Sequence, residues 1–332
     1  MLQKAILGDF VMSSKYPIAY AVYNNDLEIR MNSTSGGIFT ALAEYFMDKY
    51  DAKIYGAAFD ENCNVHHISV DRKEDLKRLR GSKYPQSKVI DAYKNVKQDL
   101  DSGKYVLFTG TPCQVVALRN FLKKDYDNLF CMDFICHGVA SDGIWRSYIE
   151  QQTKEHGKIK NITFKKKVKG WKKWYFQIEF EDGTIRQRRG YMTMFMASYL
   201  EYGNIRPSCY ECHFKGLERG SDFTISDCWG IGEQDQEMND NKGLSALLLQ
   251  NERAVKVFEE LKGQVTCKKY DAQALMEGNW TTFRSVTADK KRSNFFSEAA
   301  RNGGYKALKR YYAPDLKDWA RYRLHVLQGK EK

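Results

Sequence analysis

At 332 residues the chain exceeds the usual size of one domain, and its 42% apolar and 14% aromatic content supports a sizeable core and excludes a disordered polypeptide. Lys and Arg outnumber Asp and Glu by 53 to 42, a formal charge of +11, which favours anionic partners: nucleic acid, phosphate-bearing small molecules or an acidic protein. Asp9 interrupts the first apolar run with no cleavage-like site after it, and no stretch approaches ~18 consecutive apolar residues. The expectation is a cytoplasmic protein with neither signal peptide nor membrane span.

In chain order, residues 38–50 place Ile38, Leu42 and Tyr45 on one helical face after a Ser-Thr-Ser-Gly-Gly turn. Residues 52–59 and 65–70 read as strands, and 75–80 and 89–100 as helices flanking the loop 81–87. An apolar strand at 104–110 runs through Thr-Pro-Cys into an amphipathic helix at 114–124, and another strand follows at 128–136. Strands and helices alternating in this way predict an α/β layer with a mainly parallel sheet and flanking helices.

After about residue 158 the pattern turns to apolar–polar alternation, with Asp182-Gly183 as a hairpin turn. A helix over 191–202 is closed by Gly203 as its C′ residue, and strands follow at 222–226 and 245–250. From about 252 the chain reads as chiefly helical and basic. The expected organisation is an α/β segment over 1–100, a second region with a β-rich middle over 101–265, and a basic helical tail over 266–332. Basic runs at 165–173, 289–296 and 305–325 each read as solvated faces.

Eight cysteines in a chain without an export signal are poor candidates for a disulfide framework. Cys209 and Cys212 form a CxxC pair in an irregular loop, a spacing that lets one turn offer two thiolates to a metal ion or cluster. Cys113 and Cys136 each follow a buried strand, which delivers both to the carboxyl edge of a parallel sheet, and Cys113 also sits at a helix N-terminus that favours thiolate. Four such thiols fit either zinc or a 4Fe–4S cluster. Cys131 lies within its apolar strand and reads as core. Cys63 and Cys267 are unremarkable, and Cys228 lies beside a strand end near the proposed site.

Two loops are rich in hydroxyls and glycine. The Ser33-Thr34-Ser35-Gly36-Gly37 turn at a helix start is a phosphate cradle or a plain N-cap. In the loop Gly81-Ser82-Lys83-Tyr84-Pro85-Gln86-Ser87, a lysine is placed to neutralise a diphosphate or a reduced flavin ring. His66 and His67 point to opposite faces of one strand, so at most one faces a given site. His137 and His213 each follow a cysteine of the four-thiol set.

Taken together, residues 33–37, 81–87, 107–122, 133–141, 165–171 and 209–231 resemble the coenzyme F(420) hydrogenase/dehydrogenase beta-subunit family, in the family's order. The resemblance implies an iron–sulfur flavoprotein oxidoreductase. It selects a 4Fe–4S cluster over zinc and makes Cys113, Cys136, Cys209 and Cys212 the cluster ligands. It makes Thr34, Ser35, Gly36, Gly37, Gly81, Ser82, Lys83, Tyr84 and Ser87 flavin contacts, with Thr109, Gly110, Thr111 and Gln114 nearby. FAD is favoured over FMN. Lys83 would stabilise the reduced ring and His137 would donate a proton.

Many relatives of this kind begin with a ferredoxin-like segment, and this sequence shows none. Electrons are therefore expected from a separate ferredoxin-like protein, with a small molecule or coenzyme F(420) as second substrate. Two other readings predict different contents. A zinc-stabilised nucleic-acid-binding module would be colourless, and a non-catalytic accessory protein would hold a cluster without flavin.

Overall fold

The computed structural model describes residues 16–231 and 235–315. Its first half alternates strand and helix: β1 (Ile18–Asn24), α1 (Leu27–Asn32), α2 (Ile38–Tyr50), β2 (Lys53–Phe59), β3 (Val65–Val70), α3 (Leu76–Leu79), α4 (Ile90–Asp101), β4 (Val106–Thr109), α5 (Pro112–Leu122) and β5 (Leu129–Phe134). There follow α6 (Asp142–His156), the hairpin strands β6 (Ile159–Lys166), β7 (Tyr175–Phe180) and β8 (Ile185–Arg189), and α7 (Met194–Leu200). The chain closes with β9 (Phe223–Asp227), β10 (Ser245–Leu249), α8 (Glu252–Leu261), β11 (Val265–Tyr270), α9 (Ala272–Met276), α10 (Arg292–Asn302) and α11 (Gly304–Tyr312).

Eight strands form one sheet in the order β11-β1-β10-β9-β5-β4-β2-β3, and β6-β7-β8 form a second. The α/β class, flanking helices and β-rich middle follow the sequence pattern. The parallel run is the centre of the large sheet, β2, β4, β5 and β9, and antiparallel pairs extend it on both sides. Parallel neighbours need a crossover connection. Between β4 and β5 it is α5, whose start is written in the sequence: Thr111 caps the helix, Gln114 returns the bond to the Thr111 amide, and Pro112 takes the first turn. Between β5 and β9 the crossover is the whole excursion 135–222, which carries the small sheet, α6, α7 and the CxxC loop.

Helices cover both faces. On one side Ile38, Leu42 and Phe46 of α2 and Val257, Phe258 and Leu261 of α8 pack on the sheet. On the other, Val96 and Leu100 of α4 and Leu118 of α5 meet Val106, Phe108 and Cys131. A third core, centred on Trp145, joins α6 and α7 to the small sheet and the C-terminal helices.

Three local readings differ. Residues 18–24 carry no helical period and escape notice as a strand, yet they form β1 inside the sheet. Residues 265–270, in the stretch read as chiefly helical, form the edge strand β11, paired with β1. An edge strand tolerates polar residues because one side of it faces solvent, so its lysines disguise it. The left-handed residue that ends α7 is Tyr202 (φ 60), not Gly203. Gly203 is needed for close approach: a Cβ there would lie 1.7 Å from the Tyr312 hydroxyl.

Candidate functional site

The carboxyl ends of β4, β5 and β9 open on a cavity of ≈ 450 Å³, the position where open α/β sheets bind ligands. Loop 33–37 and the start of α2 form one wall, loop 79–87 another, and the segment 136–139 with Trp174, Tyr199 and Trp229 the rest. Of the residues expected to contact a flavin, Thr34, Ser35, Gly37, Gly81, Ser82 and Lys83 line the cavity. So do Tyr84, Ser87, Thr109, Gly110, Thr111 and Gln114.

Gly36 does not. Its amide donates to the Ser245 hydroxyl at 2.9 Å, and a Cβ there would meet the Val22 carbonyl oxygen at 2.4 Å. It is a packing glycine between the turn and strands β1 and β10. Because the obstacle is backbone, Gly36→Ala is expected to cost about 2–3 kcal/mol, read as a lowered denaturant midpoint in chemical unfolding.

The hydroxyls of the turn are committed within the protein. Ser33 donates to the Ile29 carbonyl, Ser35 to the Leu244 carbonyl, and Thr34 accepts from the Ser82 amide at 2.9 Å, tying the two loops together. None of them caps α2: its N-cap is Gly37 (φ 87) with no side-chain bond, so the first-turn amides stay open to a ligand. Arg80 adds a cation to this wall. The turn itself is held by Lys167, whose buried ammonium donates to the carbonyls of Arg30, Ser35 and Lys242.

Lys83 lines the cavity, but its ammonium donates to the carbonyls of Arg78, Leu79 and Arg80 at 3.0 Å and to that of Gly81 at 3.3 Å. It closes the C-terminal end of α3 as lysines do at helix ends, and burial lowers its pKa to about 7. The expected contact with a reduced ring is therefore not its resting arrangement. The His137 imidazole also lines the cavity, and burial lowers its pKa to about 4, so it is neutral at pH 7. His213 is exposed.

Of the histidine pair, His66 turns to Asp60 and His67 inward, where it lines the cavity. Its Nε2 lies 2.9 Å from the Thr109 carbonyl oxygen and so carries the proton, and Nδ1 accepts from the Ser87 hydroxyl at 2.6 Å. Burial lowers the His67 pKa to about 4. A histidine that is harder to protonate when folded contributes stability that is present above its unfolded pKa of ~6.5 and lost as pH falls toward 4. Thermal unfolding midpoints between pH 7 and 4 should fall less steeply in His67→Gln than in wild type, by an amount on the order of 3 kcal/mol.

The chief feature that sequence reading missed is Lys165. It lies in the run 165–173 read as a solvated face, yet its ammonium is buried in the cavity wall, 2.7 Å from Asp227 Oδ2 at the end of β9. The rings of Trp174 and Trp229 stand 5.7 and 5.8 Å from it, and Trp229 stacks on Trp171 at 4.3 Å. Asp227 keeps Lys165 charged, raising its pKa against burial. The only local hint was position: Lys165 is the penultimate residue of a strand whose Ile162 and Phe164 are buried.

Of the four proposed ligand thiols only Cys136 lines the cavity, and Cys113, Cys209 and Cys212 lie near enough to influence it or one another electrostatically. Cys113 is in the first turn of α5, exposed, with its sulfur 3.1 Å from the Thr111 hydroxyl. The Cys136 sulfur receives the Gly138 amide at 3.3 Å. Gly138 (φ 114) allows the CxxC loop to approach, since a Cβ there would lie 3.2 Å from that of Cys209. The Cys212 amide donates to Ser285. Cys136 feels the charge of Cys113 and Cys209, and Cys209 that of Cys113 and Cys212. Lys215 donates to the carbonyls of Cys136 and Thr281 and attracts three of the four thiols. Among the described residues no three His, Cys, Asp or Glu side chains are grouped so as to hold a metal ion. Cys131 and Cys228 are buried in separate cores, where burial raises each pKa to about 12.

A mixed sheet with flanking helices and a cavity at the carboxyl ends of its parallel strands places the chain in the α/β class. Over residues 103–273 the sequence matches the family model for the C-terminal part of the coenzyme F(420) hydrogenase/dehydrogenase beta subunit. The chain belongs to this family, which is one of oxidoreductase subunits. Among solved structures it is similar to a chain of the F(420)-reducing nickel–iron hydrogenase complex from Methanosarcina barkeri, with a TM-score of 0.53 and 18% identity over 90% of this chain and 96% of that one. At that identity the likeness is one of fold. No curated protein matches. Among the described residues no helix is long and apolar enough to cross a membrane.

Proposed function

We propose that the chain is an iron–sulfur flavoprotein oxidoreductase in which Cys113, Cys136, Cys209 and Cys212 hold a 4Fe–4S cluster and the ≈ 450 Å³ cavity holds a flavin, FAD in preference to FMN. The observation that carries this reading is the sharing of one segment by both sites. Cys136 and His137 line the cavity, and Cys136 also belongs to the four-thiol group. The donor chemistry fits a cluster: four thiols, a backbone amide on sulfur and a nearby lysine ammonium are what anionic iron–sulfur sites use. The cavity fits a flavin: open first-turn amides of α2 and Arg80 suit a diphosphate, and the apolar floor of Met132, Phe134 and Ile225 suits a ring system.

When bound, the two cofactors supply single-electron and hydride chemistry, and the protein supplies placement and electrostatics. In this reading Thr34 and Ser82 fix the two loops around the diphosphate end, and Lys83 keeps loop 78–83 in shape. His137, next to Cys136 at the cavity wall, is the proposed proton donor near the thiols. Electrons come from a ferredoxin-like protein. The chain's charge of +11 would speed that encounter by ~10–10³ at low salt. The second substrate is a small molecule or coenzyme F(420).

Anaerobic purification tests the reading. Iron, acid-labile sulfide and releasable flavin should be found together, with a broad visible shoulder over flavin bands. A colourless protein containing zinc would overturn it, and a cluster without flavin would indicate a non-catalytic accessory role. Electron transfer from a candidate ferredoxin should weaken as salt is raised.

A further inference from the structure

The cavity holds a set of proton-handling groups with no part in binding a diphosphate or a cluster. Tyr84 lies in the loop 81–87 and lines the cavity. Its ring is fixed against Phe164, at 5.0 Å edge to face, and Tyr199, at 4.5 Å. Its hydroxyl shares the cavity wall with Lys165 and Ser82; burial raises its pKa, and both of them pull it down. Lys165 in turn is held 2.7 Å from Asp227 Oδ2. The other carboxylate oxygen, Asp227 Oδ1, is buried without a hydrogen-bond partner at the cavity wall. Buried polar atoms left unmatched are costly in a finished structure, and here they border a space large enough for a ligand.

We propose that Tyr84, backed by Lys165 and Asp227, is the general acid of the second half-reaction, and that the site takes a hydride acceptor whose polarised double bond ends in oxygen or nitrogen. The proposal rests on the flavoprotein reading above. In the reduction of such an acceptor a bound reduced flavin would supply the hydride (two electrons and one proton) at carbon and would end oxidised, while the Tyr84 O–H would give the heteroatom its proton. The resulting phenolate is reprotonated by the Lys165 ammonium, and solvent restores the lysine. For alcohol or amine oxidation the same groups run in reverse.

Burial holds the phenol protonated at neutral pH against the pull of Lys165, so it begins as an acid, and Asp227 keeps the neighbouring ammonium charged to stabilise negative charge on the acceptor atom. The other ionisable groups facing this set are Tyr199 on α7, Lys167 beyond β6 and His137 after β5.

The test is binding of 4-nitrophenol to the anaerobically purified protein, followed by its own absorbance. A donor phenol beside a fixed ammonium should bind the phenolate and lower the apparent pKa of the probe. Tyr84→Phe, which keeps the ring and its packing, should weaken phenolate binding about tenfold, as expected for loss of one charge-assisted hydrogen bond. Lys165→Met should remove the preference for phenolate over phenol. Equal affinity in wild type and Tyr84→Phe, binding of the neutral phenol, or no binding to the wild type would each overturn the proposal. If the flavin reading fails instead, releasable flavin is absent while the probe's absorbance still reports on Tyr84 and Lys165, so the two failures are distinct.

Discussion

On the proposed ligand assignment, Cys209→Ala or Cys212→Ala is expected to strip the protein of iron and acid-labile sulfide, while Cys131→Ala leaves both in place. A 4Fe–4S cluster is held by four thiolates, and in that assignment the pair at 209 and 212 would supply two of them from a single turn. Neither of the buried thiols nearest in sequence to the ligand set is placed to replace one of them. Cys131 is fully buried within β5, and Cys228 is packed with Trp171 and Trp229 in a different core. Removing the Cys131 sulfur leaves a small void and costs about 1 kcal/mol, too little to unfold a domain of this size. The measurement is iron and sulfide per chain after anaerobic reconstitution, with electron paramagnetic resonance of the reduced protein. A cluster that survived Cys209→Ala would overturn the ligand assignment.

Asp222→Ala will be among the most destabilising single changes. The carboxylate is 2% exposed and holds four elements together. Its Oδ2 accepts from the Cys131 amide of β5 at 2.8 Å, and Oδ1 accepts from the Asn251 side chain at the start of α8 at 2.9 Å. Arg253 Nε lies 3.0 Å from Oδ1, and an Arg119 nitrogen of α5 lies 3.7 Å from Oδ2. Removing it orphans the Cys131 amide and the Asn251 side chain and takes the counter-charge from two guanidinium groups that are about one-third exposed, which costs about 2–3 kcal/mol. Asp222→Asn keeps the shape and should lose less. Guanidinium denaturation should show a lower midpoint with an unchanged slope. A shift below about 1 kcal/mol would mean that the arginines reach solvent.

Much of this was legible in the residues, because the signals were local. The strand–helix alternation before residue 158, the Thr-Pro-Cys-Gln cap of α5 and the position of Cys113 and Cys136 after strands each depend on a few neighbouring side chains. The cavity wall from 33–37 and 81–87 was legible for the same reason, although two of its residues changed meaning. Gly36 proved to be a packing position, and Lys83 caps a helix. What was not legible depends on partners far away in sequence. A lysine in the run 165–173 reads as solvated until Asp227, sixty residues on, is brought beside it. His67 and His66 were indistinguishable until the sheet chose one face for the cavity. The place of β1 and β11 in the sheet rests on distant partners, since β1 pairs with both β10 and β11.

That pairing also governs when the molecule can be finished. Ile18 pairs with Leu249 and Ala19 with Tyr270, so an early strand is slotted between two late ones. At ribosomal rates of ~5–20 residues per second, β1 emerges roughly 10–50 s before either neighbour exists. During that interval an apolar segment, Ala19 to Val22, has both edges unsatisfied and is free to pair with another nascent chain. Yield on expression should therefore depend on temperature and on chaperone supply more than the stability of the finished protein would suggest. A product truncated before residue 245 should be found in the pellet.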